Sequence, residues 1–191
     1  MTKLVRFFYR YLYWLVPWWY GMTQTFTRKK RYPEVRFYGA VTDIPPAIQY
    51  GRRWREDPIK GLLDVLMTPR KFQWHIEMDH EEFGDCDDHA LYWATALLKS
   101  KLADKAWLGT VWYTKPDGSS KSGHVVCVFS KDGRTYWADY GNPSAFGGKW
   151  EWASQMANRR GKIVQAAALT EVRLRKSGEP KLCKKTERIV P

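Results

Sequence analysis

Two spacings of apolar residues divide the chain. From Asp87 onward, Ala90, Leu91, Ala94, Leu97 and Leu98 recur at i, i+3 and i+4, which predicts a buried helix running to about Lys101. Upstream, Leu62, Leu63, Val65 and Leu66 follow the same helical spacing within residues 58–74, stop before Pro69, and the pattern restarts after it. Beyond Lys101 the period changes. "AWLGTVWYT" (106–114), "HVVCVFS" (124–130) and "RTYWADY" (134–140) read as strands, the last two joined by "KDG" as a tight hairpin turn. "GNPSAFGG" reads as loop, "WEWASQMAN" as helix, and "IVQAAALTEVRLR" as one or two strands. Residues 25–58 carry turn signals at "YPEV", "DIPPA" and "EDP" and predict a loop-rich lead-in with one short helical piece. A helix followed by an antiparallel meander is an α+β layout, with the helix packed on the sheet.

Composition narrows the class. A chain of 191 residues, 44% hydrophobic and 27% charged, can bury one domain core, and wholesale disorder is excluded. Three scattered cysteines, Cys86, Cys127 and Cys183, with no CxxC pair, argue against a disulfide framework and against a zinc site. At least one free thiol follows, which suits a reducing compartment or a reactive role. The net charge of +12 invites an anionic partner. That charge is spread over 27–36, 51–55, 158–162 and 173–188 while 76–88 is acidic, so a nucleic-acid groove is not the favoured reading.

The acidic stretch raises a chemical question. In "EEFGDCDDHALYWATALLKS" (81–100), Cys86 stands directly behind Gly84-Asp85 at the head of the predicted helix. The thiolate is the nucleophilic form of cysteine, and a helix N-terminus favours it through unpaired N–H groups and the positive end of the dipole. Asp85, Asp87 and Asp88 oppose that effect, so a histidine is required to take the proton. Of the four histidines, His75 and His80 precede Cys86 and His89 shares its helix, whereas His124 opens a strand. His124 lies seven residues before Lys131 and Asp139 six after Gly133, so an antiparallel hairpin brings them to the same end. Asp139 then orients the imidazole, giving a Cys86–His124–Asp139 triad. Each residue also has a plain structural use: a buried cysteine, a strand-start histidine and a turn-forming aspartate. Cys127, among apolar neighbours, reads as an inert thiol.

"GDCDDHALYWATALL", "SGHVVCVF" and "YWADYGNP", with "DVLMTPRKFQW" upstream, resemble the transglutaminase-like cysteine peptidases of the papain-like superfamily. The likeness is closest to the bacterial transglutaminase-like cysteine proteinases and covers residues 50–143. The resemblance implies a papain-like/transglutaminase-like core, nucleophile Cys86, general base and acid His124, orienter Asp139, and a protein or peptide substrate. It also implies carboxylates beside the nucleophile that bind calcium, and Asp85 and Asp87 match those positions; helix capping is the alternative use of the same acids. For the oxyanion hole, the Cys86 N–H is one expected donor, with Gln73 or Trp74 as the second. The predicted activity is amide hydrolysis through a thioester, with no cofactor required beyond the calcium alternative. A lysine acceptor instead of water gives a cross-linking transglutaminase, and a binding or assembly protein on the same fold is the third reading.

The expected organisation is an aromatic and basic segment over 1–24, a catalytic domain over 25–172 and a basic tail over 173–191. The charge-free run that begins at Tyr11 extends to Thr27, 17 residues with Pro17 inside it, short for an ordinary spanning helix. No small-residue cleavage pattern follows, so export is not supported and a cytoplasmic location is expected. Its Trp and Tyr residues, beside Lys3, Arg6 and Arg10, suit an interfacial segment lying on a membrane surface or a protein complex through residues 1–22; packing onto its own domain is the alternative. Deletion of residues 1–22 is expected to leave a folded domain that no longer sediments with anionic liposomes or its native complex. Unfolding of the truncated protein would assign the segment to the core.

Overall fold

A computed structural model of the protein describes residues 32–44, 66–78, 84–119, 122–140, 143–148 and 150–189. The N-terminal segment 1–24 and the helical pattern at 62–65 lie outside the described residues. Helix α1 (Pro69–Glu77) begins at the proline, which needs no N–H partner in a first turn, and the Thr68 hydroxyl accepts from the Lys71 N–H at 3.2 Å as its cap. Helix α2 (Cys86–Lys99) carries the predicted apolar stripe, and its first residue is Cys86.

Six strands follow in one antiparallel sheet: β1 (Lys105–Thr114), β2 (Ser122–Lys131), β3 (Arg134–Ala138), β4 (Ser144–Phe146), β5 (Ile163–Leu174) and β6 (Pro180–Ile189). Their order is β4-β3-β2-β1-β5-β6. Helix α3 (Glu151–Arg159) sits between β4 and β5 in sequence. The architecture is α+β, with three α-helices and this six-stranded sheet among the described residues.

The sheet is covered on both faces. On one, Leu91, Trp93, Ala94 and Leu97 of α2 and Phe72 of α1 cluster with Ala106, Leu108, Cys127, Phe129 and Val172. On the other, Trp152, Ala153 and Met156 of α3 cluster with Val111, Val126, Val128, Trp137 and Leu169. The alternation along β2, with Cys127 and Phe129 toward α2 and Val126 and Val128 toward α3, explains why its sequence is an unbroken apolar run.

Three local expectations change. The β2–β3 hairpin turns on two residues, not three: Lys131 pairs with Arg134, and Asp132 (φ 50°) and Gly133 (φ 75°) supply the left-handed pair of a two-residue turn. "SAF" within the expected loop pairs with β3 as the edge strand β4. Residues 173–191, read as a basic tail, instead hold the end of β5 and all of β6, with Val172 opposite Leu182. Charged side chains are what an outermost strand carries to discourage further pairing, so basic composition hid the strand.

At Gly109 of β1, Trp152 of α3 packs close to the strand. A Cβ there would lie 2.6 Å from Val128 Cγ2 and 3.0 Å from Trp152 Cη2, and Trp152 is fully buried. Gly109→Ala is therefore expected to destabilise the fold by about 1–3 kcal/mol, the usual cost of an overpacked core, seen as a lowered thermal midpoint. An unchanged midpoint would mean that α3 can lift without penalty.

Candidate active site

The head of α2 is built around one carboxylate. Asp88, buried one turn into the helix, accepts from the Asp85 N–H at 3.3 Å and, more closely, from the Met67 N–H in the segment leading to α1. Gly84 makes the space: a Cβ at that position would lie 2.0 Å from Asp88 Oδ2 and 2.6 Å from its Cβ. The Gly-Asp-Cys-Asp-Asp run thus has a steric cause at its first position and a hydrogen-bonding cause at its last. Between them Cys86 occupies the first helical position, partly exposed, where backbone N–H groups lack helical partners.

The β2–β3 hairpin supplies the second half. Strand β3 ends at Ala138, opposite Cys127, so residues 122–126 of β2 have no partner on that side among the described residues. Asp139 follows immediately and accepts from His124 Nε2 through Oδ1 at 2.7 Å. Its other oxygen, Oδ2, accepts from Arg160 Nη2 at 2.8 Å, and the same nitrogen lies 3.2 Å from His124 Nε2. Burial alone would raise the Asp139 carboxyl; the hydrogen bond and charge of His124, with the charge of Arg160, outweigh it and hold the carboxyl below its ordinary value. Asp139 is therefore a carboxylate at neutral pH.

Tyr140 links the two halves. With φ at 56° it holds a backbone conformation that costs a non-glycine residue roughly 1 kcal/mol. Its ring centre is 5.3 Å from that of His124 and 5.3 Å from that of His89 on α2. Burial first, then the negative charge that Cys86, Asp139 and Asp85 can carry, raises its phenol above the usual range, so it stays neutral. Cys86, His89, Ala90, Trp93, Val125, Val126, Ala138 and Tyr140 line one small pocket. The thiol thus shares a cleft with the residues flanking His124 and Asp139 in sequence. Burial pushes His89 down to about 3, which leaves it a neutral packing residue, edge-on to Phe72 at 4.5 Å. Burial also raises the Cys127 thiol, as expected of an inert cysteine.

Gln73 and Trp74, the expected second donors of the oxyanion hole, are not among the residues that line this pocket. The Gln73 side chain is buried, and its Oε1 accepts from the Tyr92 hydroxyl at 2.8 Å and the Tyr38 hydroxyl at 3.3 Å. Its Nε2 donates to Glu77 at 3.2 Å. Trp74 packs its ring against Tyr32 at 5.8 Å and His75 at 5.2 Å. Both serve the seam between the lead-in segment and α1. Neither lines the pocket that holds Cys86.

Asp85, Cys86 and Asp87 offer donor atoms within 4.8 Å of one another. Calcium takes about six to eight oxygens; two carboxylates and a thiol fall well short of that, and the neighbouring Asp88 is committed to Met67 and Asp85. The described residues thus bring three donor atoms together at the head of α2, fewer than a calcium shell holds.

Arg160 and Tyr140 carried no chemical signal in the sequence. Arg160 is one of several cations in "NRRGK", and Tyr140 reads as one more strand aromatic. Only the pairing of Arg160 with an aspartate 21 positions earlier separates it from Arg159 and Lys162.

Gly84→Ala is expected to expel the Asp88 carboxylate from its seat, leaving the sheet folded but slowing alkylation of Cys86 by iodoacetamide at least several-fold. Undisturbed Cys86 reactivity in a folded Gly84→Ala protein would show that the seat does not position the thiol. No protein-family model and no curated protein matches this chain, so its function has to be read from these residues.

Proposed function

We propose that the protein is a cysteine-dependent amide hydrolase, a peptidase or isopeptidase of transglutaminase-like type acting on protein or peptide substrates. One observation carries this: a part-buried His124–Asp139 pair at 2.7 Å, beside a cleft lined by a cysteine at the first position of a helix. An ionised carboxylate cannot donate, so the proton of that bond belongs to Nε2, and Nδ1 keeps the lone pair. Nδ1 takes the proton of the Cys86 thiol as the sulfur attacks the substrate carbonyl carbon. The charge that develops on the carbonyl oxygen is met by the Cys86 N–H. Collapse expels the amine, which leaves with the proton held by the imidazolium, and a thioester remains. Water, deprotonated by His124, then attacks the thioester, releasing the acid and restoring the thiol. A lysine amine in place of water would make the same intermediate a cross-link.

Purified Cys86→Ala and His124→Ala proteins are expected to lose all measurable amide hydrolysis while remaining folded. Asp139→Asn is expected to retain a fraction of it, since a nucleophile and a base remain. In the intact protein, Cys86 should be alkylated much faster than Cys127 and Cys183, and should lose that advantage in His124→Ala. Full hydrolysis by Cys86→Ala would refute the assignment.

With Asp85 and Asp87 read as capping acids, EGTA is expected to have only a small effect on hydrolysis. A large loss reversed by calcium, and absent in Asp87→Ala, would place a functional ion at the head of α2.

A further inference from the structure

Arg160 has a specific place in the fold. It caps α3, where its N–H bonds to Ala157 O at 3.0 Å. Gly161 (φ 61°) then reverses the chain, and the Lys162 N–H returns to the same carbonyl at 3.0 Å. Trp152 and Met156 anchor the helix in the core, so the guanidinium is delivered by a fixed helix end. There it meets both members of the His124–Asp139 pair, and the two contacts compete. A guanidinium can only donate, so accepting its proton would require a bare Nε2, and Asp139 Oδ1 would then face a lone pair at 2.7 Å. The proton therefore stays on Nε2 and points at Asp139, and Arg160 presses on the imidazole by charge alone.

We propose that Arg160 is a positioning residue of this site: it holds Asp139 Oδ2 so that Oδ1 faces His124, and it sets a positive charge 3.2 Å from His124 Nε2. The role in catalysis rests on the hydrolase reading; the clamp itself does not. Other titratable and charged groups surround this cluster. Tyr140, beyond β3, is neutral, as is His89 on α2. On β1, Tyr113 is also held above its usual range by burial. Lys162 lies 4.4 Å over the Tyr113 ring and donates to Ser122 at 2.7 Å. Cys86 and Asp85 approach from the α2 side. Loss of Arg160 removes the cation nearest to Nε2 and frees Asp139 to act on His124 alone, and both changes favour the imidazolium.

The test is the titration of His124 in the full-length protein labelled with 15N-histidine, its signals identified by comparison with His124→Ala. Arg160→Met is expected to raise the midpoint by about one pH unit, the order of effect for a single adjacent charge. Arg160→Gln, which keeps a donor for Oδ2 without the charge, is expected to raise it as well and stands in if the Met variant does not fold. Arg160→Lys is expected to bring the midpoint back toward the original. An unchanged or lowered midpoint in a folded Met or Gln variant would overturn the proposal. Iodoacetamide labelling of Cys86 that ignores His124→Ala would instead refute the hydrolase reading and leave the clamp standing.

Discussion

The two-residue turn at Asp132 and Gly133 locks β2 against β3 with Lys131 opposite Arg134 and Cys127 opposite Ala138. Side chains alternate across a strand, so a slip of one residue would send every β2 side chain to the opposite face. Here both faces are occupied: Cys127 and Phe129 belong to the layer under α2, Val126 and Val128 to the layer under α3. A slipped hairpin would exchange a thiol and a phenyl ring for two valines in two tightly filled spaces. The register is held by the core, and the His124–Asp139 pair inherits its accuracy from that constraint.

The same hairpin explains why the cleft opens where it does. Strand β3 is five residues long and β2 is ten, so half of β2 runs on without a β3 neighbour. Two layers that the sheet otherwise separates come together at this gap. Cys86 and His89 arrive with α2, Arg160 arrives from the end of α3, and the Tyr140 ring lies between the two histidines. A site at the end of a short strand can draw chemistry from both faces of a sheet, which a site in the middle cannot.

Three polar side chains in and around this region each hold a definite set of partners. Asp88 takes two backbone N–H groups and ties α2 to the segment before α1. Asp139 divides its two oxygens between an imidazole and a guanidinium. Gln73, buried among Tyr38, Tyr92 and Glu77, does the equivalent for the lead-in segment. A buried polar group left without such partners costs about 1–3 kcal/mol, roughly twice what a satisfied one contributes, so each of these residues is bound to its own neighbourhood. That is why Gln73, close to Cys86 in sequence, is not free to serve the thiol.

The local pattern by itself determined α2, the strands β1 to β3 and the meeting of His124 with Asp139, because each depends on spacing within about thirty residues and on a turn whose chemistry is written as Asp-Gly. The steric demand behind Gly84 was legible only as a glycine; that Asp88 fills its missing Cβ is a fact of packing. Tertiary structure alone decided the rest. Strand β6 reads as a charged tail because an edge strand needs few apolar residues, and only its pairing with β5 makes it part of the sheet. Arg160 reads as surface charge because nothing near it in sequence needs a cation. Its partner is Asp139, 21 residues away, and the contact exists only because Trp152 and Met156 bury α3 against the far face of the sheet. Short-range periodicity records which face of an element is buried; which charges then meet is settled by how the buried faces stack.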